Sequence, residues 1–96
     1  MDAPTAIQNK QFEFIHCISI DPYIEDYAKM AILFAFNECP NNEFEKCRLI
    51  VFKFQEKYGP TWSCSIIKEG NQYCQYFTYF LQIKFEDYTI YIWKSG

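Results

Sequence analysis

The most reactive side chains in this 96-residue sequence are five thiols, at Cys17, Cys39, Cys47, Cys64 and Cys74. No two of them have the Cys-x-x-Cys spacing of a zinc site, and an odd number does not make a disulfide framework. The sequence therefore predicts reduced thiols, with no metal and no cofactor. For Cys64 and Cys74, redox activity across a dimer is the alternative to buried, inert thiols, which are the commoner state.

The residues that could act as general acids or bases do not form a recognisable catalytic set. His16 is the single histidine and falls among the apolar residues of a strand-like segment, which favours a hydrogen-bonded core histidine over a ligand or a general base. The adjacent acids Glu25 and Asp26 are interpreted as a solvated helical turn. No glycine-rich phosphate loop and no Cys–His pair with an orienting group is present. We therefore expect a protein that is not an enzyme.

Composition excludes further classes. The net charge is −3 and the basic residues are scattered, so nucleic acid has no cationic track to bind. No apolar run is long enough for a membrane span, and the start of the sequence lacks the apolar region of a secretion signal. We expect one domain over residues 12–96, preceded by a disordered segment at 1–11. Aromatic residues make up 21% of the chain, which exceeds what so small a core readily hides and favours an interface, with an unusually aromatic core as the alternative.

Hydrophobic periodicity predicts one strand followed by two helices. Apolar residues alternate from Phe12 to Ile20, which is typical of a strand. Asp21 and Pro22 are typical of a helix start, and helical spacing continues to about residue 37. A capping box at Asn42 begins a second helix, in which apolar residues recur at Phe44, Cys47, Val51, Phe54 and Tyr58. Gly59 and Pro60 then end it, because glycine adopts the left-handed conformation and proline cannot continue a helix.

The alternation of apolar and polar residues predicts strands in the second half of the chain. Trp62, Cys64 and Ile66 alternate with polar residues, turn residues follow at Gly70 and Asn71, and alternation resumes in two further segments, at Tyr79, Leu81, Ile83 and Phe85 and at Tyr88, Ile90 and Ile92. The predicted order is β-α-α-β-β-β-β, an α+β fold with antiparallel pairing.

Residues 57–64 read Lys-Tyr-Gly-Pro-Thr-Trp-Ser-Cys, which resembles the Lys-Tyr-Asn-Pro-Thr-Trp-His-Cys segment of the small, eight-kilodalton-class dynein light chains. The final Lys94, Ser95 and Gly96 are similar to that family's ending. Between the two segments this chain is one residue shorter than the family, and we place the deletion near Gly70, between Ile67 and Asp87. This placement puts Leu81, Ile83 and Phe85 on the core side of their strand, whereas a later deletion would bury charged Lys84 instead.

The resemblance implies two helices packed on an antiparallel sheet, in a homodimer whose subunits exchange a strand. It also implies a non-catalytic light chain that binds extended peptides of dynein intermediate chains or other partners by β-augmentation. The expected setting is a cytoplasmic or axonemal dynein on microtubules, in the cytoplasm or a cilium. Two alternatives stay open: a structural paralogue with an altered groove, fixed in a homodimer or paired with a related light chain, and a dimerisation hub independent of dynein.

The resemblance further assigns site residues. The peptide groove comprises the start of the second helix, the crossing strand and the strand after it: Glu43, Phe44, Asn71, Gln72, Tyr73, Cys74, Gln75, Tyr76, Phe77, Phe80, Gln82 and Lys84. The dimer interface comprises Trp62, Ser63 and Cys64. Phe44 is either a hydrophobic anchor or the lip of the groove. Ser63 replaces the family's interfacial histidine, so we expect dimerisation that does not respond to mild acid.

Overall fold

The computed structural model describes residues 12–19, 21–68 and 79–94, and its helices and strands match the predicted order within those ranges. The elements are β1 (Phe12–Ile18), α1 (Ile24–Glu38), α2 (Glu43–Tyr58), β2 (Trp62–Ile67), β3 (Tyr79–Phe85) and β4 (Tyr88–Lys94). The predicted α+β class, with two helices and an antiparallel sheet, is confirmed. The predicted crossing strand at 71–77 and the segment at 1–11 lie outside the described residues. The domain boundaries stay a prediction.

The four described strands form one antiparallel sheet in the order β1-β3-β4-β2. β3 and β4 are joined by the turn predicted at Glu86 and Asp87, where Glu86 has a φ of 57°. Phe85 and Tyr88 face each other across this turn. Within the described sheet, β1 and β2 are therefore the outer strands and each has a neighbour on one side only.

Both faces of β3 and β4 are buried. Leu81, Ile83 and Phe85 pack in one core with the helices, together with Ile90 and Ile92, which confirms the predicted core face of β3. The opposite face carries four residues that are also buried, at 3–5% exposure: Phe80, Gln82, Thr89 and Tyr91. Lys84, on that same face, is exposed.

A bulge in β1 corrects the prediction for His16. Phe12 and Phe14 are opposite core residues of β3, but the register shifts between Phe14 and His16, which leaves Ile15 as the extra residue. After the shift, Cys17 is opposite Leu81 and His16 is opposite Gln82. His16 is thus turned from the helix side to the other face of the sheet, where it is exposed. The expectation of a core histidine was wrong because alternation alone does not reveal a bulge.

The start of α1 differs from the predicted cap by two residues. The helix begins at Ile24, and the Asp21 carboxylate accepts the backbone N–H of Tyr23 at 2.9 Å in the turn before it. Its second oxygen accepts the hydroxyl of Tyr58 at 2.5 Å. Asp21 therefore connects the beginning of α1 to the end of α2, and these two hydrogen bonds, that of Tyr58 foremost, lower the pKa of Asp21.

α2 begins and ends where the sequence predicted, but its capping box is incomplete and Gly59 does not adopt the predicted left-handed helical conformation. The Asn42 side chain accepts the backbone N–H of Glu45 at 3.0 Å, as an N-cap does. The Glu45 carboxylate does not complete the capping box and instead binds Arg48 at 2.7 Å. Gly59 ends the helix with a φ of 82° and a ψ of 179°, and its N–H donates to the Gln55 carbonyl at 3.0 Å.

Aromatic rings join α1, α2 and β2. Phe54 is fully buried, and its ring centroid lies 5.3 Å from that of Tyr27 and 4.8 Å from that of Trp62. Tyr58 extends the cluster, 5.8 Å from Phe54 and 5.7 Å from Trp62. We call these four residues the aromatic cluster. Neither helix in the described ranges has the length and apolar character needed to cross a membrane.

Replacing Gly59 with alanine should lower the free energy of unfolding by about 1–3 kcal/mol, because its backbone angles lie in a region that is almost exclusive to glycine. An added Cβ would meet no atom within 4 Å, so the loss would come from the backbone alone. Urea denaturation measures this change in the free energy of unfolding. Asn41→Ala, at an exposed turn, is the control, and an equal change in both variants would contradict the prediction.

The Asp21–Tyr58 hydrogen bond should stabilise the fold only where Asp21 is ionised. The folded pKa of Asp21 lies below its ordinary 3.8, so this stability is present above 3.8 and is lost as the pH falls through the folded pKa. Tyr58→Phe should therefore destabilise the protein at neutral pH, and its difference from the wild type should shrink in acid. Urea denaturation at several pH values and NMR titration of the Asp21 carboxyl group measure this.

Tyr27→Phe is the matched control for that experiment. The Tyr27 hydroxyl donates to the backbone carbonyl of Lys53 at 2.7 Å, an acceptor that does not titrate in acid. The effect of Tyr27→Phe on the free energy of unfolding should therefore stay constant over the same acid range. If the free energies of unfolding of Tyr58→Phe and Tyr27→Phe changed in parallel with pH, Tyr58 would not stabilise the ionised form of Asp21.

Candidate functional site

The direction of the backbone groups of β2 follows from the hairpin between β3 and β4. Phe85 and Tyr88 flank a two-residue turn, and such a flanking pair is hydrogen-bonded. Tyr88 and every second residue after it thus direct their N–H and C=O groups to β3. The alternate residues of β4 direct theirs to β2: Thr89, Tyr91 and Trp93.

The opposite residues of β2 are Ile67, Ser65 and Ser63, so these three pair with β4 through their backbone. We infer that the backbone groups of Trp62, Cys64 and Ile66 point away from β4, to the outer edge. Two contacts agree with this assignment: the Trp62 N–H donates to Gln55 Oε1 at 3.2 Å, and the Ile66 N–H donates to the Cys47 sulfur.

A groove of about 510 Å³ lies between α2 and this outer edge. It is lined by Phe44, Cys47, Arg48, Val51, Phe52, Gln55, Ser63 and Cys64. Phe44 and Phe52 are 70% and 57% exposed, which is unusual for large apolar side chains two helical turns apart on one helix. Phe44 lines this groove, and its role as a hydrophobic anchor or as the lip of a peptide groove stays a prediction.

The floor of the groove holds two thiols in contact. The Cys47 side chain, on α2, is hydrogen-bonded to the Cys64 side chain, on β2, and both residues are half-buried. The hydrogen bond from Cys64 lowers the pKa of Cys47, and the Ile66 N–H acts in the same direction. Burial, followed by the neighbouring Cys47, raises the pKa of Cys64. The two thiols therefore differ strongly in acidity.

The start of α2, beside the groove, is fixed by an ion pair that the sequence did not predict. Lys46 is only 2% exposed, and its ammonium lies 3.5 Å from the Glu43 carboxylate and 3.2 Å from the Pro40 carbonyl. The ammonium also sits over the ring of Phe36, 4.6 Å from its centroid. The Tyr88 hydroxyl donates to Glu43, which lowers the pKa of Glu43 and raises that of Tyr88.

The predicted site residues fall into three groups. Phe44, Ser63 and Cys64 line the groove, and Glu43 lies at the helix start beside it. Trp62 is 3% exposed in the core, and Phe80 and Gln82 are buried two strands away from β2, near exposed Lys84. The residues assigned to the crossing strand lie outside the described ranges: Asn71, Gln72, Tyr73, Cys74, Gln75, Tyr76 and Phe77. The assignment of these residues to a groove or an interface stays a prediction.

Sequence reasoning missed Phe52, Gln55 and the Cys47–Cys64 contact. Phe52 lies outside the apolar stripe used to predict the helix, and that departure was itself a signal of an exposed aromatic residue. The thiol contact depends on how α2 crosses the sheet, which spacing along the chain does not specify. Within the described ranges, no three His, Cys, Asp or Glu side chains cluster closely enough to hold a metal ion.

Solved structures with the same architecture include the dynein light chain-like domain of the Fasciola hepatica calcium-binding protein FhCaBP2. Its mercury derivative matches with a TM-score of 0.76 at 14% identity, over 91% of this chain and 94% of that one. This chain has the dynein light chain-like fold. The native crystal of the same domain gives a TM-score of 0.75 at 14% identity, over 93% and 96% of the two chains. No family model and no curated protein matches the sequence.

The structural likeness confirms the fold that residues 57–64 indicated. The dynein light chain-like fold is typically non-catalytic. At 14% identity the likeness speaks for the fold, and the groove beside β2 must be interpreted from the residues of this chain.

Proposed function

We propose that this chain is a non-catalytic, dimeric light chain that receives an extended segment of another chain along the outer edge of β2. The observation that carries the proposal is the conjunction of that edge with an apolar groove. An outer strand presents N–H and C=O groups that an added strand can pair with, and neighbouring pockets select its side chains.

The apolar side chains of the groove indicate how such a segment would be held. Phe44 and Phe52 are mostly exposed in the single chain, and covering them would remove a large apolar area from water. The charged residue of the groove, Arg48, is already bound to Glu45. A segment with apolar residues facing α2 fits this surface better than a highly charged one.

The first occupant we propose is a second copy of this chain, contributing its residues 71–77. Two observations support this proposal: the family resemblance implies an exchanged strand, and the aromatic content is 21% in a chain of 11.6 kDa. We further propose that the dimer binds segments of dynein intermediate chains or similar partners. The corresponding location is a microtubule-associated dynein of the cytoplasm or a ciliary axoneme.

A fixed structural dimer, formed with itself or a related light chain and without exchange of peptides, is the second candidate. The burial of Phe80 and Gln82 within the chain favours it, since two residues assigned to peptide contact are already covered. Screening the purified protein against an array of intermediate-chain peptides separates the two candidates. Saturable binding supports a peptide-binding light chain, and its absence in a proven dimer supports the structural one.

Sedimentation analysis should find a species of about twice 11.6 kDa at micromolar concentration. Phe52→Ser should raise the dissociation constant of this dimer about ten- to a hundredfold, because covering one phenylalanine stabilises by about 1.5–3 kcal/mol. Phe52 is 57% exposed in the single chain, so the fold itself should be little affected.

Tyr23→Ser is the control for Phe52→Ser. Tyr23 is 70% exposed and precedes α1, away from the groove, so its loss should leave the dissociation constant unchanged. A wild-type chain that sediments only as a monomer would refute the proposed dimer. Equal effects of the two substitutions would show that the groove beside α2 is not its interface.

Amide hydrogen exchange should report strand addition residue by residue. The Cys64 N–H points to the outer edge and should exchange more slowly when the dimer forms or a peptide binds, as concentration is raised. The Ser63 and Ser65 N–H groups already pair with β4, and their protection should change little. A reversed pattern, with Ser63 and Ser65 responding and Cys64 not, would exclude addition at this edge.

A further inference from the structure

The two thiols on the groove floor form a pair whose function does not follow from a peptide-binding role. Cys47 belongs to the second turn of α2 and Cys64 to the middle of β2, so the pair joins two neighbouring elements through residues that are 17 positions apart in sequence. Both residues line the same open groove, and a hydrogen bond from the Cys64 side chain is the main cause of the lowered pKa of Cys47. The groove gives a small solute a route to the pair from solvent, and Cys64 is the more deeply buried of the two thiols.

The surroundings of the two sulfurs lower the pKa of Cys47 and raise the pKa of Cys64. The Cys47 sulfur accepts hydrogen bonds from the Cys64 thiol and the Ile66 N–H, and the ammonium of Lys46 favours its ionised form. Glu43 acts against ionisation, although it is already bound by Lys46 and Tyr88. Cys64 is kept as the neutral thiol by burial and by its neighbour. This division matches that of an attacking thiolate and a resolving thiol.

Cys17, in the same chain, has a raised pKa, whereas Cys47 has a lowered one. Burial, followed by the charge and hydrogen bond of Glu25, raises the pKa of Cys17 to about 11, so that it is protonated at neutral pH. Its exposure alone therefore does not make it a reactive thiol.

We propose that Cys47 and Cys64 are a peroxide-sensitive thiol pair that closes to an intramolecular disulfide between α2 and β2. The Cys47 thiolate attacks one oxygen of a hydroperoxide, the O–O bond breaks, and Cys47 becomes a sulfenic acid while hydroxide or alkoxide leaves. The Cys64 sulfur then attacks the Cys47 sulfur, its proton goes to the departing oxygen, and water leaves. The two sulfurs supply the two electrons that reduce the peroxide.

Closing the disulfide has a defined structural consequence. It joins α2 covalently to the outer strand and so fixes the width of the groove between them. It also removes the thiolate that accepts the Ile66 N–H. The inference concerns one chain, and it stands whether or not the groove binds a partner.

The test uses the full chain with the other thiols replaced, C17S/C39S/C74S, treated with hydrogen peroxide at neutral pH. The expected product has lost the mass of two hydrogen atoms, gives a proteolytic fragment in which Cys47 and Cys64 are linked, and is restored by dithiothreitol. Its formation rate per molecule should not rise with protein concentration, because the bond is intramolecular. Oxidised protein should also unfold at a higher urea concentration than reduced protein.

Two further variants in that background separate the roles of the thiols. C64S should leave a sulfenic acid on Cys47 that dimedone traps, whereas C47S should react with peroxide at least tenfold more slowly. If the triple variant does not fold, as judged by circular dichroism, the same linked fragment is sought in the wild-type chain after alkylation of the remaining thiols.

Three results would overturn the proposal: oxidation of Cys47 without a link to Cys64, a link that forms only in urea-unfolded protein, or links only between separate chains. None of these depends on the quaternary structure. A chain that proves monomeric but forms the Cys47–Cys64 link would refute the proposed dimer and leave the thiol pair established.

Discussion

The packing of Phe54 against Trp62 is the contact on which the groove depends. Trp62 begins β2 only four residues after α2 ends, so the chain reverses sharply and the helix must lie against the strand it precedes. The rings, 4.8 Å apart between centroids, fix that crossing at one end. The helix start is held at the other end by Asn42 and by the buried ammonium of Lys46. Between these two anchors α2 is separated from the edge of β2 by a groove.

The same arrangement explains why the outer edge of β2, an outer strand of the described sheet, is partly covered by side chains. Side chains of α2 reach across the groove to its edge, where Gln55 accepts the Trp62 N–H and Cys47 accepts the Ile66 N–H. Unpaired amides at an exposed edge invite indiscriminate pairing, and such side chains shield two of them. An incoming strand must then offer acceptors that compete with Gln55 and Cys47, which makes strand addition selective.

Local chemistry made the helix boundaries and the strand faces predictable. The Asn42 cap, the Gly59 stop and the alternation at Leu81, Ile83 and Phe85 each depend on neighbours within a few positions. The bulge at Ile15 was not predictable, because an extra residue in a strand leaves no compositional mark when both faces carry apolar side chains. The lining of the groove was not predictable for a related reason: the resemblance assigned Phe44 to a peptide groove but Ser63 and Cys64 to a dimer interface, and Phe52, Gln55 and the partner of each thiol depend on how α2 crosses the sheet.

Strand addition at β2 and the ionisation of Cys47 both use the Ile66 N–H as a hydrogen-bond donor, so each process affects the other. The Ile66 N–H lowers the pKa of Cys47 by stabilising its thiolate. A strand added at the outer edge would offer this N–H a carbonyl acceptor instead, which would withdraw one stabilising contact from the thiolate. By thermodynamic reciprocity, occupancy of the edge should raise the pKa of Cys47, and ionisation of Cys47 should oppose occupancy. Filling the edge would then make the thiols less reactive toward peroxide than they are beside an empty groove, without abolishing the reaction.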